Sequence, residues 1–315
     1  ANMISFALNL TGQSIVFDTD GSSSFAALFH AQLEQGAEED ADSAAGRAAP
    51  FSLVLGSAWN VAPACFANFC FRGLLTTQGR CCCFNEGASG FVRGEGCGAL
   101  VLARLFTLSE QDSGAQCLVR SVEMMQSSGA ASLTAPCGTG MHEVIDLATF
   151  RGGLRPGDID VVECHAAGEM QADALEVQAC ERVLRQAAPF ESKQPLPLTS
   201  FKSCIGSTYA ASGLISLLKA VQCARWAMSP PSNHLRQLNP HAVCEEGVAL
   251  FPSELTALLP GFLGAPTGFS VVNSFGSSGS YASAVLWCEA DKEVAVSTNS
   301  SRPALRWSHA SWPLP

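Results

Sequence analysis

The spacing of apolar and polar positions divides this chain into short strands and amphipathic helices. Gln13–Thr19 (QSIVFDT) is a compact run with β-branched residues and predicts a strand. Three serines follow, and then Phe25, Leu28, Phe29 and Leu33 recur at helical spacing as far as Gly36. Gly36–Pro50 is acidic and rich in Ala, Ser and Gly, the pattern of a surface loop. Strands are predicted at Phe51–Leu55, Ala99–Leu105 and Cys117–Met125. A helix over Glu143–Phe150 is stopped by Gly152-Gly153, and a strand at Asp158–Cys164 follows it. Ala174–Ala188 predicts a helix with Leu175, Ala179, Val183 and Leu184 on one face. The strongest helical pattern runs from Thr208 to Met228, with Leu214, Leu217, Leu218, Val221 and Ala224 as its stripe and Pro230-Pro231 as its stop. Phe269–Ser274 and Ser280–Glu289 predict a hairpin around Gly276–Gly279. Strands alternating with helices indicate an α/β layered fold.

Composition narrows the function classes. With 315 residues the chain can bury a sizeable core. Its 15% of charged residues against 47% hydrophobic ones exclude a highly charged disordered chain. A net charge of −10 leaves no basic stripe to displace counterions, so nucleic acid is not an expected partner. Fourteen cysteines in a chain this long do not describe a small disulfide scaffold. Cys65, Cys70, Cys97, Cys117, Cys180 and Cys223 lie in apolar runs and read as small hydrophobes, in a reducing intracellular compartment. Cys81, Cys82 and Cys83 are consecutive, which is poor geometry for one metal ion, so neither a metal nor another cofactor is expected. No signal peptide is expected at the N-terminus. Phe51–Phe71 is uncharged and as long as a membrane span, but Asn60 and Pro63 at its centre favour a buried strand and a loop in a soluble protein.

Several segments, in order, carry a resemblance. Asp18–Ser24 (DTDGSSS) follows the first predicted strand and opens a helix; Phe84–Gly98 (FNEGASGFVRGEGCG) is a glycine-punctuated turn before a strand. Glu163–Gln178 (ECHAAGEMQADALEVQ) runs from strand to helix, Phe201–Gly213 (FKSCIGSTYAASG) introduces the long helix, and Asn273–Gly279 (NSFGSSG) stands near the end. Together, over residues 4–289, they resemble the β-ketoacyl synthase domain of polyketide and fatty acid synthases, a member of the thiolase-fold superfamily.

The resemblance implies a layered αβαβα thiolase-like fold and an acyltransferase chemistry. A cysteine at a helix N-terminus takes the acyl chain. Two histidines stabilise the enolate formed on decarboxylation, two backbone amides hold the oxyanion, and threonines bind the phosphopantetheine arm. In this chain Gly21 stands at the nucleophile position, where no thioester can form, and Asp20 precedes it. Ser22 lies one residue further into the helix with no adjacent base. The first histidine is retained as His165, but Ala166-Ala167-Gly168-Glu169 replaces the hydroxyl-bearing segment after it, and Glu169 would repel a phosphate. Lys202 is retained, and pairing with Glu176 is expected to occupy it; the second histidine position is Ser207. Phe275 keeps the oxyanion-turn position, with Ser277 and Ser278 beside it, and reads as core rather than gate. Arg93 and Glu95 read as architectural, and a buried hydrogen-bonding role is the simplest use for His165.

The nucleophile turn also comes early, at residue 21, so most of the first thiolase half is expected to be missing. The expected divisions are residues 1–35 as a remnant of that half, 36–50 as a loop, 51–135 as its end and the crossover, 136–289 as the second half, and 290–315 as a tail. That tail carries Trp307 and Trp312 and is either docked or disordered. A half-sheet leaves unpaired edges and an apolar face, with Gln13–Thr19 as the candidate partner edge. The expected function is therefore that of a ketosynthase-like pseudoenzyme, a structural or scaffolding subunit of a larger assembly with other protein subunits. A full ketosynthase, or a chain supplying the missing half, is the expected partner. A chain-length-factor-like partner of an active ketosynthase is the alternative.

Overall fold

The computed structural model describes residues 2–36, 49–104, 114–127, 129–132, 134–186, 194–245, 247–258 and 267–290. The tail with both its tryptophans and most of the acidic loop lie outside them. The chain opens with α1 (Asn2–Ala7), none of whose residues is buried. Residues 10–19 then run as irregular, mostly exposed backbone, so the strand expected at Gln13–Thr19 does not form. β-branched residues make a strand only where a neighbour completes the ladder, and no described segment pairs with this one. A 3-10 turn at Asp20–Ser22 leads into α2 (Ser23–Gly36), the first predicted helix.

β1 (Phe51–Ala58) is followed by α3 (Ala64–Phe71). This uncharged stretch was expected to be a strand and a loop. Pro63, with its fixed φ, starts the helix instead, and the residues after it, with Asn68 as their one polar side chain, give no polar face to betray the period. Among the described residues no helix is long and apolar enough to cross a membrane. The next elements are β2 (Gly96–Ala103), β3 (Leu118–Gln126), α4 (Gly138–Arg151), β4 (Val161–Glu163) and α5 (Met170–Glu181). A π-turn at Arg182–Gln186 ends the last of these helices. They correspond to predicted elements, with ends shifted by a few residues; α4 stops on a left-handed Gly153 as its glycine pair implied.

β5 (Leu196–Thr199) and the single turn α6 (Lys202–Ile205) precede α7 (Ser212–Trp226). The prolines do not stop α7: Ala227, at φ +50°, caps it three residues earlier. The chain then forms β6 (Met228–Ser229), β7 (Ala249–Leu250), β8 (Thr256–Ala257), β9 (Thr267–Phe275) and β10 (Ser280–Glu289).

Six strands form one mixed sheet in the order β3-β10-β9-β4-β5-β7. The β9–β10 hairpin and β3 are antiparallel, while β4, β5 and β7 join in parallel. Side-chain alternation along β9 and β10 splits the core in two. Val271, Tyr281 and Val285 pack with Val144, Ile145 and Ala148 of α4 and Val177 of α5. Val272, Ala282, Ala284 and Leu286 pack with Phe25 and Leu28 of α2 and Leu217 and Val221 of α7.

On the far side of α2 and α7 lies a second, antiparallel sheet of β1 and β2. Gly56 and Gly98 face each other in its register and allow the close approach. A Cβ on Gly56 would sit 3.2 Å from the Ser24 Cβ, and one on Gly98 would sit 3.3 Å from Leu214. The layers are thus α4/α5, six-stranded sheet, α2/α7 and two-stranded sheet, the expected αβαβα order up to its fourth layer.

Candidate functional site

The 3-10 turn Asp20–Ser22 brings the N-terminus of α2 against the end of β9, where Ser274 Oγ donates to the Gly21 carbonyl at 2.8 Å. A Cβ on Gly21 would clash with the Phe275 carbonyl oxygen, well inside carbon–oxygen contact distance, and would lie 3.3 Å from His165 Cε1. The space a nucleophilic side chain needs is occupied by backbone. Ser22 does not take over: its hydroxyl donates to the Thr19 carbonyl at 2.7 Å and is fully buried.

Asp20, in the left-handed region at φ +56°, turns its carboxylate away from this point into a set of hydroxyls. Tyr209 Oη donates to Oδ1 at 2.8 Å, and Ser277 and Ser278 each donate to Oδ2 at 3.1 Å. Arg72 donates to Ser277 Oγ at 2.9 Å. Tyr209 is itself left-handed at φ +47°, and burial pushes its phenol up to about 12, so it remains a donor. This cluster was missed in the sequence. Asp20, Ser277 and Ser278 were noted singly, and Tyr209 carries no signal that it would meet them.

His165 stands at the end of β4. Its Nδ1 accepts the Phe275 N–H at 3.1 Å, a backbone amide rather than the carbonyl a buried donor would seek. The neutral ring therefore carries its proton on Nε2. Burial, with Lys202 nearby, holds the imidazole well below its ordinary pKa. Phe275 is core, edge-to-face with Tyr281 at 5.1 Å, and its amide is already committed to His165. Ser207 is buried in a bridge to Arg93 and accepts the Tyr209 N–H at 3.4 Å. Arg93 lies 4.8 Å over the Phe69 ring, and Arg93 and Glu95 both hold Asn60 in place.

The expected Lys202–Glu176 pair does not form. Glu176 instead accepts the N–H groups of His165 and Ala166 at 2.7 and 2.8 Å and the Asn273 amide at 2.9 Å. Lys202 Nζ donates to the His165 carbonyl instead, and the buried ion pair of this region is Lys219 with Glu163, at 2.6 Å. Asp173 gathers the N–H groups of Ala167, Gly168, Glu169 and Phe84, pinning the Ala166–Glu169 segment to the turn before β2. The altered segment thus offers two methyl groups and a half-buried carboxylate where the family pattern has hydroxyls.

Burial pushes Asp173 and Glu176 up to about 7, against their amide donors. A carboxyl that holds its proton more tightly folded than unfolded stabilises the fold below its ordinary value, and that contribution is lost as pH rises toward 7. His165 acts oppositely, losing stability as pH falls below about 6.5. Two carboxyls outweigh one imidazole, so the protein is expected to resist urea better at about pH 5.5 than at about pH 7.5, as unfolding curves at the two values will measure.

Gly21, His165, Glu169, Ser207, Tyr209 and Phe275 share the lining of a cavity of about 60 Å³, room for a few waters. The cysteines are distributed differently from expectation. Of the six read as core, only Cys180 is buried, and Cys70 and Cys97 are exposed. Cys81, Cys82 and Cys83 are buried with their thiols on three separate partners: Val92, Gln78 and Ala166.

The family model described as the β-ketoacyl synthase N-terminal domain matches residues 1–107, and that of the C-terminal domain matches residues 116–236. The chain is 31% identical over 311 residues to the spectinabilin polyketide synthase system protein NorC of Streptomyces orinoci, covering 99% of this chain and 13% of that protein. It is 31% identical over 309 residues to the phenolphthiocerol synthesis polyketide synthase type I Pks15/1 of Mycobacterium bovis, covering 96% of this chain and 14% of that one. Among solved structures, the ketosynthase from module 6 of the bacillaene synthase of Bacillus subtilis 168 superimposes with a TM-score of 0.83 at 28% identity, over 91% of this chain and 50% of that one. The oxazolomycin ketosynthase domain OzmH KS7 of Streptomyces albus JA3453 gives 0.82 at 28%, over 93% and 49%. The chain thus spans about one-seventh of these curated relatives and half of each ketosynthase structure. Both halves of one family pattern follow each other along the chain, on a shared backbone that brings Gly21, His165 and Phe275 together, and the chain belongs to the β-ketoacyl synthase family of the thiolase-fold superfamily.

Proposed function

We propose that this chain is a catalytically silent ketosynthase-like subunit that serves a larger assembly as a structural or scaffolding component, in a reducing intracellular compartment. One observation carries the reading: the nucleophile position is Gly21, and the Phe275 carbonyl stands where a side chain would start. Removing a catalytic nucleophile alone costs on the order of 10⁶-fold in rate. Ser207 in place of an imidazole, and Ala166–Glu169 in place of arm-binding hydroxyls, point the same way. A second reading, a chain-length-factor-like partner of an active ketosynthase, draws support from the relatives, which are named as polyketide synthase proteins.

Incubation with an acyl-thioester donor followed by intact-mass measurement is expected to show no covalent acyl adduct on this chain. An adduct would overturn the proposal. Run on the chain with its co-purified partners, the same incubation separates the two readings. Condensation product without an adduct on this chain favours the second.

A further inference from the structure

All fourteen cysteines are free thiols, and two pairs among them are in hydrogen-bonding contact. The pairs differ in what can reach them. Cys164 and Cys180 meet in the interior, between the end of β4 and α5, and both are fully buried. Burial, then the Cys180 thiol and the Glu176 carboxylate, push the Cys164 thiol well up. That pair offers neither a thiolate nor a way in for an oxidant.

Cys117 and Cys288 meet at the rim of the six-stranded sheet. β3 is its edge strand, and Cys117 immediately precedes β3. β10 and β3 pair antiparallel as far as Trp287 with Leu118, so one further step of the same register sets Cys288 opposite Cys117. Directly opposed residues of an antiparallel pair have Cα atoms about 4.5–5.5 Å apart, inside the span of about 4.4–6.8 Å that a disulfide bridges. Alternation puts both side chains on one face. Leu286 and Cys288 belong to the apolar layer under α2 and α7, and Val119 and Cys117 pack against that layer. On its other flank Cys288 is opposite Gly268 of β9, so Cys117 carries the side chain that Cys288 meets directly across the ladder.

The two partners are not equivalent. Cys288 is 1% exposed, whereas Cys117 is half-buried. The Cys288 thiol, donating to the Cys117 sulfur, holds Cys117 below the ordinary thiol value, and the same bond together with burial pushes Cys288 up. The sulfur that can be reached is therefore the one that ionises more readily, while the sealed one keeps its proton.

We propose that Cys117 and Cys288 are a peroxide-responsive thiol pair, in which Cys117 attacks and Cys288 resolves, and that their disulfide fastens the edge strand β3 to β10. In the first step the Cys117 thiolate attacks hydrogen peroxide. The O–O bond breaks, an S–O bond forms, and the displaced hydroxide takes up a proton and leaves as water. The sulfur is oxidised to a sulfenic acid and the peroxide is reduced. In the second step the Cys288 sulfur attacks the Cys117 sulfenic acid. An S–S bond forms, the S–O bond breaks, and the hydroxide leaves with the Cys288 proton as a second water. Two thiols and one hydrogen peroxide thus give one disulfide and two waters, and a small dithiol reverses the bond by exchange. Because the bond joins positions far apart in the sequence, it restricts the unfolded chain strongly and raises stability.

The test treats the purified, fully reduced chain with hydrogen peroxide, denatures it in N-ethylmaleimide and maps it with trypsin and a glutamate-specific protease, so that each of the two cysteines lies alone in its peptide. The expected product, within the 33.0 kDa chain, is a peptide pair joining Cys117 to Cys288, two hydrogens lighter than its parts. It is expected to form at least tenfold faster than a Cys164–Cys180 link and to revert in dithiothreitol. The oxidised chain is expected to melt roughly 5 °C higher than the reduced one. Cys288→Ala is expected to leave a sulfenic acid on Cys117 that dimedone captures, and Cys117→Ser to abolish both adduct and link. The wild-type map decides without either variant, should replacing a thiol disturb folding.

Recovery of Cys117 and Cys288 as alkylated thiols, at peroxide doses that oxidise the exposed Cys97 and Cys204, would overturn the proposal. A link from Cys117 to a different cysteine, or between two copies of the chain, would do the same. A linked pair with an unchanged melting temperature would remove its fastening role.

Discussion

Gly21→Cys is expected to destabilise the protein by about 1–3 kcal/mol and to leave condensation at background. The first effect follows from what the new Cβ meets. A clashing side-chain tip can rotate away, but the Phe275 carbonyl belongs to β9, whose neighbours β4 and β10 hold it in register. Relief requires moving either the strand end or the turn that starts α2. The second effect follows from the groups around the new thiol. Ser207 supplies no imidazole, and general acid–base assistance of that kind is worth on the order of 10²–10⁴-fold. The Asp20 carboxylate, adjacent in sequence, opposes a thiolate. Thermal unfolding of the variant beside wild type measures the first effect, and product formation from acyl and malonyl thioesters measures the second. Wild-type stability combined with rapid acylation would show that the turn relaxes around a side chain and that the site is open.

Asp173→Ala has the largest expected effect on stability. One carboxylate accepts the N–H groups of Ala167, Gly168, Glu169 and Phe84, all in the interior or at its edge. Alanine leaves these donors without their acceptor, at about 1–3 kcal/mol for each one that stays dry. Allowing water to reach some of them, the loss is about 4 kcal/mol, a large share of the 5–15 kcal/mol a typical domain possesses. At about 2–4 °C per kcal/mol for a chain of comparable size, the melting temperature should fall by roughly 10 °C. A fall of only a degree or two would mean that the Ala166–Glu169 segment is held by other contacts. Asp173→Asn, which keeps the shape and one acceptor oxygen, is expected to fall between wild type and alanine.

Much of the fold was legible because its signals are local. Of the predicted stripe Leu214, Leu217, Leu218, Val221 and Ala224, all but the half-buried Leu218 are buried in α7, and the glycines of residues 276–279 mark the β9–β10 turn. What failed depended on partners. Gln13–Thr19 has strand-forming residues but no described neighbour to complete a ladder, so composition alone could not decide its state. Ala64–Phe71 is apolar except for Asn68 and gives no period to read.

The candidate site divides in the same way. Gly21, Ser207 and the Ala166–Glu169 segment stood out because each departs from a contiguous motif. The Lys202–Glu176 pair was misassigned because a motif says which residues are near, not which donors reach an oxygen first. Glu176 is held by three neutral N–H donors, from His165, Ala166 and Asn273. The hydroxyls around Asp20 come from positions 189 to 258 residues away, and no pattern within one segment announces such a meeting.

The Asp20 cluster also bears on what a side chain at position 21 would require of its neighbours. Its carboxylate is balanced by Tyr209, Ser277 and Ser278 together, so replacing any one of the hydroxyls leaves the charge short of a donor, and replacing Asp20 leaves three hydroxyls facing an empty corner. Restoring a side chain at position 21 meets the Phe275 carbonyl whichever of the four has changed. Each single step back is uphill, although the complete reversal need not be. On the proposed silent-subunit reading, a gain of acyl transfer at this site would therefore take several substitutions at once.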